Sequence, residues 1–234
     1  MIDKTTIDTV IFDMDGTLAE TEEVHRQAFN RAFADFGLGW NWDVPLYRQL
    51  LKVTGGKERI THFIAREGGV ADPEFVAKLH KAKTDIYTAM VDGGAVALRP
   101  GIREFIEEAR ARGLTLAIAT TTSMPNIDAL LTSALGAQWR DIFPVVGAGD
   151  MVEKKKPAPD VYELALRELG KPPQHCVAIE DSRNGVLAAR SAGLPVIAVR
   201  STFSSDDDLT GAAIELPSCE ALSLGLLERI SPPS

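Results

Sequence analysis

Five short apolar runs punctuate the chain, and the segments between them place apolar residues three and four positions apart. Thr9-Val10-Ile11-Phe12-Asp13 is β-branched and aromatic and ends in an acid. Leu114 to Thr120 closes on a hydroxyl, Phe143 to Val146 is short, Cys176 to Ile179 runs into Glu180-Asp181, and Pro195 to Val199 runs into Arg200. Such runs predict buried strands. Helical periodicity covers Ile102 to Arg112, Ile127 to Leu135, Val161 to Leu169 and Val186 to Ala192. Gly113, Gly136, Gly170 and Gly193 follow where a left-handed C-cap is common. The alternation predicts an α/β fold with a parallel sheet covered on both faces. Sites in such sheets lie at the carboxyl ends of the strands, and three of those ends carry Asp13, Thr120 and Glu180-Asp181.

From about Thr21 to Ala97 the alternation stops. Helical patterns at Glu22 to Phe36, Lys57 to Arg66 and Glu74 to Met90 follow one another with no convincing strand. This block is an insertion after the first strand, above the site, where it can serve as a lid. The division predicted is a core of residues 1–20 and 97–234 and an α-helical cap of residues 21–96, with hinges near Ala19 to Glu22 and Val96 to Pro100. The tail from Ser201 contains Asp206-Asp207-Asp208, read as a solvated loop, and Pro232-Pro233 is read as a frayed end.

Composition narrows the class. At 45% apolar and 25% charged residues, the 234-residue chain matches a globular protein with a substantial core. No apolar stretch reaches the roughly 18 residues that cross a bilayer, and no secretory pattern opens the chain. A cytoplasmic protein is expected, or an organelle-stroma one if a transit peptide has been removed, with no membrane partner and a monomeric state. Cys176 and Cys219 lack metal-ligand spacing and read as reduced structural residues. A net charge of −8 argues against nucleic-acid binding. Between Arg48 and Lys83, however, eight cations face four acids, which suggests a pocket for a small anion.

Asp13-Met14-Asp15-Gly16-Thr17 is the sharpest signal. Two carboxylates at the end of a buried strand are expensive to dehydrate without a cation or partner. Gly16 permits a sharp exit from the strand, although a simple Asp-Gly turn would use the same residues. Glu180 and Asp181, brought beside Asp13 by a parallel sheet, would repel it, and Mg2+ with its preference for oxygen ligands removes that conflict. The alternative is an acid pair favoured by a helix N-terminus. One of Lys154, Lys155 and Lys156 can bridge a nucleophile and phosphoryl oxygens, while most such triplets are solvated. Thr120-Thr121-Thr122-Ser123 offers hydroxyls and N–H groups suited to a phosphoryl group.

Together these motifs resemble the haloacid dehalogenase (HAD) superfamily of phosphohydrolases, in the order Asp13-Met14-Asp15-Gly16-Thr17, Thr120, Lys156-Pro157 and Glu180-Asp181. The resemblance implies a HAD-like Rossmannoid sheet with a helical-bundle cap inserted after the first strand. It also implies a Mg2+-dependent phosphatase that forms an aspartyl-phosphate. Asp13 is then nucleophile and metal ligand, and Asp15 is general acid and base with a carbonyl on Mg2+. Thr120 and Lys156 hold the phosphoryl group, while Glu180 and Asp181 complete the metal site.

Further stretches are similar to the β-phosphoglucomutase-like branch, and within it to CbbY-type phosphatases acting on xylulose-1,5-bisphosphate. They are residues 19–25, 54–59, 119–123 and 147–152. This likeness implies a small phosphorylated sugar as substrate. Its contacts map to Glu22, Gly55, Gly56, Lys57, Arg59, His80, Lys83, Thr121, Thr122, Ser123, Asn126 and Asn184, and to His25, which reads equally as a residue that positions Asp15 or lines the cap joint and as an ordinary hydrogen-bonded histidine. His80, Lys83 and Tyr87 would share one helix face. Rival readings are a sugar-phosphate mutase, a phosphatase for phosphoglycolate or another monophosphate, and a non-enzymatic module that senses a phosphorylated metabolite.

Overall fold

Every side chain of Thr9–Phe12 is buried, which requires cover on both faces of the strand they form. The computed structural model describes residues 7–230 and supplies that cover. Strand β1 (Thr9–Phe12) lies centrally in a six-stranded sheet of order β3-β2-β1-β4-β5-β6. The others are β2 (Thr115–Ala119), β3 (Val145–Gly147), β4 (Cys176–Glu180), β5 (Val196–Val199) and β6 (Ile214–Leu216), all parallel. Phe12 pairs with Ile118 on one side and Ile179 on the other, so Asp13, Thr120 and Glu180-Asp181 emerge at one edge of the sheet.

The pleat sends Val10 and Phe12 to one face and Ile11 to the other, and each face has its own core. Phe12 meets Phe105 and Phe143 edge-on, each at 6.0 Å, in the core beneath helices α5 (Ile102–Ala111) and α6 (Met124–Leu135). Ile11 packs with Val161, Tyr162 and Val186 from α7 (Asp160–Leu169) and α8 (Arg183–Ser191). The short β6 escapes sequence reading because its three residues include Glu215. Pro232-Pro233 lies outside the described residues.

Between β1 and α5 run four helices, α1 (Glu22–Asp35), α2 (Val44–Leu50), α3 (Gly56–Arg66) and α4 (Pro73–Asp92). They enclose a third core built on Phe29, Phe33, Trp42, Tyr47, Phe63 and Leu79. Helix α2 is not evident in the sequence. At seven residues it is too short for a periodic signal, and its start is fixed by Asp43, whose side chain accepts the Leu46 N–H at 2.8 Å. The two linkers to this layer run side by side, joined by a bridge between Ala19 and Leu98 and by Arg99 N–H donating to the Leu18 carbonyl at 2.9 Å. The buried Arg99 guanidinium donates to the carbonyls of Gly16 and Arg200, and its Nε is 3.4 Å from Glu20. Among the described residues no helix is long and apolar enough to cross a membrane.

Candidate active site

Asp13 leaves β1 into the turn at Gly16, whose φ of +83° belongs to the left-handed region that favours glycine. A Cβ there would also stand 2.2 Å from Asp181 Oδ2, and one at Gly185 would stand 1.9 Å from Glu180 Oε2. Both glycines therefore make room for carboxylates. Ligand oxygens of Asp13, Glu180 and Asp181 lie within 4.8 Å of one another. Lys156 enters this group and donates at 2.6 Å to Asp13 Oδ1, at 2.6 Å to Glu180 Oε1 and at 2.8 Å to the Ala119 carbonyl. The geometry separates the lysine triplet. Lys155 is spent on the carbonyls of Gly149 and Val152, at 2.5 and 3.0 Å, and Lys154 is exposed.

One ammonium among three buried carboxylates leaves negative charge uncompensated. Burial pushes the Asp13 carboxyl well above the ordinary range, and Lys156 offsets this only in part. Burial, then Glu180, pushes Asp181 up to about 7. Burial works against the Lys156 ammonium too, but Asp13 and Glu180 outweigh it and raise its pKa. A hard divalent cation suits this donor set, which is all oxygen with no imidazole or thiolate. Asp13, Glu180 and Asp181 thus fit Mg2+.

Three neighbours of this cluster carry no sequence signature. The Tyr162 hydroxyl donates to Glu180 Oε1 at 2.6 Å from a helix face that reads as core. Ser201 and Ser204 donate to Asp181 Oδ2 at 2.6 and 2.8 Å from the segment after β5. The acidic triplet beyond them is not simply solvated. Asp207 accepts the Arg183 N–H at 2.8 Å at the start of α8, and Asp208 pairs with the Arg183 guanidinium.

Asp15 stands in a different environment. Thr21 and Thr122 hydroxyls donate to its two oxygens, each at 2.5 Å, and His25 Nε2 is 3.2 Å from Oδ1. Burial alone would raise its pKa; His25, Thr122 and Thr21 outweigh that and hold the carboxyl well below the usual range. The His25 ring stacks on Tyr87 with centroids 3.9 Å apart, and its Nδ1 is 2.7 Å from Lys83 Nζ. Burial, then Lys83, lowers the His25 pKa, and an imidazole that accepts from Lys83 at Nδ1 has its Nε2–H left for Asp15. Burial, then the nearby Arg59, brings the Lys83 pKa down to about 7. His80 is lowered to about 3 by burial and then by Lys83.

A cavity of about 680 Å³ lies over the acidic cluster. Every site residue singled out in the sequence lines it except Glu180, which is wholly buried in its floor. Glu22 accepts the Tyr47 hydroxyl at 2.7 Å, and Arg59 reaches the Leu50 carbonyl and Tyr47 hydroxyl, each at 3.2 Å. Asn184 donates to the Lys52 carbonyl at 3.2 Å and Thr54 Oγ1 at 3.0 Å, bridging α8 to the helical layer. Ser123 Oγ and Asn126 Oδ1 are buried with no hydrogen-bond partner among the described residues, so both retain capacity for a ligand. Arg48, Lys52 and Phe203 also line the cavity and are absent from the sequence-based set.

Residues 7–193 match the family model of haloacid dehalogenase-like hydrolases. CbbY of Cereibacter sphaeroides is 50% identical over 206 residues, which cover 88% of this chain and 90% of that protein. A crystal structure of a CbbY variant from Rhodobacter sphaeroides, in complex with xylulose-(1,5)-bisphosphate, superposes with a TM-score of 0.91. It shares 49% identity and covers 94% of this chain and 99% of the other. The β-phosphoglucomutase of Clostridium difficile, at 19% identity and a TM-score of 0.81 over 95% of this chain and 96% of its own, shares the fold. The protein therefore belongs to the haloacid dehalogenase-like hydrolases and is a phosphatase of that family.

Proposed function

We propose that the protein is a Mg2+-dependent sugar-phosphate phosphatase that hydrolyses xylulose-1,5-bisphosphate, or a closely similar sugar bisphosphate, through a phosphorylated Asp13. One observation carries the reading. A CbbY variant 49% identical to this chain binds xylulose-(1,5)-bisphosphate, and here a single cavity joins Asp13 to a wall bearing the cations Lys57, Arg59 and Lys83 beside the neutral His80. Two separated anionic groups need two separated cationic sites.

Asp13, Glu180, Asp181 and the Asp15 carbonyl would hold Mg2+, which supplies the charge neutralisation that lets a carboxylate approach a phosphate. The chain's own residues account for the remaining chemistry. A carboxylate oxygen of Asp13 attacks phosphorus, the bond to the sugar oxygen breaks, and that oxygen takes a proton from Asp15. Lys156 and Thr120 stabilise the phosphoryl oxygens. Water then attacks the acyl phosphate, Asp15 removes its proton, and inorganic phosphate leaves with Asp13 restored. Asp15 is ionised in the ligand-free arrangement, and the negative charge of an entering substrate raises its pKa and favours the proton it must donate.

Residues 21–96 act on this reading as a cap, hinged at Ala19 to Glu22 and Val96 to Pro100, that shuts out bulk water during turnover. Gly55, Gly56, Glu22, Thr121, Thr122, Ser123, Asn126 and Asn184 position the sugar and its phosphates. Measuring kcat/KM on xylulose-1,5-bisphosphate and on sugar monophosphates and phosphoglycolate, with Mg2+ and after chelation, tests the proposal. A preference for the bisphosphate that vanishes on chelation is expected, and equal or better turnover of the monophosphates would overturn it.

A further inference from the structure

The segment after β5 makes two sets of contacts in four residues. Its outer members, Ser201 and Ser204, are buried against Asp181, with hydroxyls 2.6 and 2.8 Å from Oδ2 and Ser204 Oγ also 2.8 Å from the Asp181 carbonyl. The two hydroxyls lie 2.6 Å apart, so neither moves alone. Its inner members contact the helical layer instead. The Thr202 carbonyl accepts from Arg48 Nη2 at 2.8 Å. The Phe203 ring meets Tyr47 edge-on at 5.9 Å, with the Arg48 guanidinium 5.5 Å from its centroid. Tyr47 and Arg48 both belong to α2. The linker joins the same turn, because the Thr202 N–H donates to the Glu20 carboxylate at 3.2 Å.

We infer that the Ser201–Ser204 turn is a positioning element that couples the seating of α2 to the orientation of Asp181. The inference rests on Asp181 being a magnesium ligand and goes beyond it by assigning a role to residues outside the four motifs. Two hydroxyls on one carboxylate oxygen fix the plane of that carboxylate. If α2 lifts away, the turn loses the Arg48 hydrogen bond and its aromatic contact, and the hydroxyls that orient Asp181 are released from their template. Coupling of this kind is reciprocal: a cation held by Asp181 must in turn favour seated α2, by a factor typically between about 5 and 150.

Hydrogen exchange of the full-length protein, with and without Mg2+ and with no sugar present, tests this directly. In the wild-type protein Mg2+ should slow exchange over residues 44–53 about fivefold or more. Phe203→Ala, which leaves the acidic cluster untouched, should lose most of that slowing, and Phe203→Tyr should restore it. Ser201→Ala with Ser204→Ala should lose it as well, and calorimetry should show weakened Mg2+ binding. Absence of a Mg2+ effect in the wild type, or its full survival in Phe203→Ala, would overturn the coupling. Asp181→Asn binding Mg2+ as tightly as wild type would instead sink the magnesium reading and the inference with it.

Discussion

Removing the metal should expose a conflict within the acidic cluster, and pH should relieve it. In the protein stripped by a chelator, Asp181 has a pKa raised to about 7 from the ordinary 3.8, by burial and by Glu180. Between those values the folded protein holds a proton that the unfolded chain has lost. The contribution of Asp181 to stability therefore rises as pH falls through about 7 and is flat above it. From about pH 7.5 to about pH 5.5 the gain is about 2 kcal/mol, at 1.36 kcal/mol per pKa unit. For a chain of this size that is a rise of about 4–8 °C in Tm. His25 and His80 titrate in the opposite sense, since their lowered pKa values cost stability once the unfolded histidines protonate. Comparison with Asp181→Asn subtracts the histidines, which are common to both proteins, and reports Asp181 together with the Asp13 carboxyl it raises. Thermal or urea unfolding in chelator should show the variant more stable at the higher pH, with its advantage shrinking by about 2 kcal/mol at the lower. Saturating Mg2+ should abolish the difference in slope for the wild type. Parallel profiles for the two proteins in chelator would refute the argument that these carboxylates repel one another.

Asp13→Asn should abolish phosphate release while circular dichroism remains native, because the amide has no nucleophilic oxygen anion. Lys57 is exposed on the cavity wall, so Lys57→Ala should raise KM for a bisphosphate with kcat little changed; an equal loss in kcat at constant KM would contradict its placement as a clamp. Lys83, with its pKa near 7, loses its charge as pH rises; kcat/KM for a bisphosphate should fall above that pH, and Lys83→Met should remove that limb of the profile. Tyr162→Phe deletes the donor to the buried Glu180 and should cost about 1.5–3 kcal/mol in denaturant unfolding at neutral pH, while a change within error would mean that hydrogen bond contributes nothing.

Much of the sheet was legible because strand and chemistry coincide: β1, β2 and β4 are apolar runs that end in the residues meeting at the site. The helical insertion was equally plain, since three of its four helices are long enough to show a period. Helix α2 and strand β6 are too short for that, and their stability comes from Asp43 and from pairing with β5. The supporting residues were invisible for a different reason. Tyr162, Ser201, Ser204 and Arg99 act on partners far away along the chain, and a hydroxyl or guanidinium carries no mark of its distant acceptor. Thr122 shows the same limit. Its place in a hydroxyl-rich loop suggests a phosphate contact, and nothing local foretells that its hydroxyl also donates to Asp15.

The opposition of an acidic floor to a cationic wall bears on how a catalytic cycle ends. On the proposed reading, a molecule phosphorylated at both ends would span the two surfaces and draw them together. Once it is cleaved on the proposed pathway, the sugar product retains a grip only on the upper side and inorganic phosphate only on the lower. On that reading neither fragment would bridge the gap, and hydrolysis itself would dissolve the link that holds the cap shut.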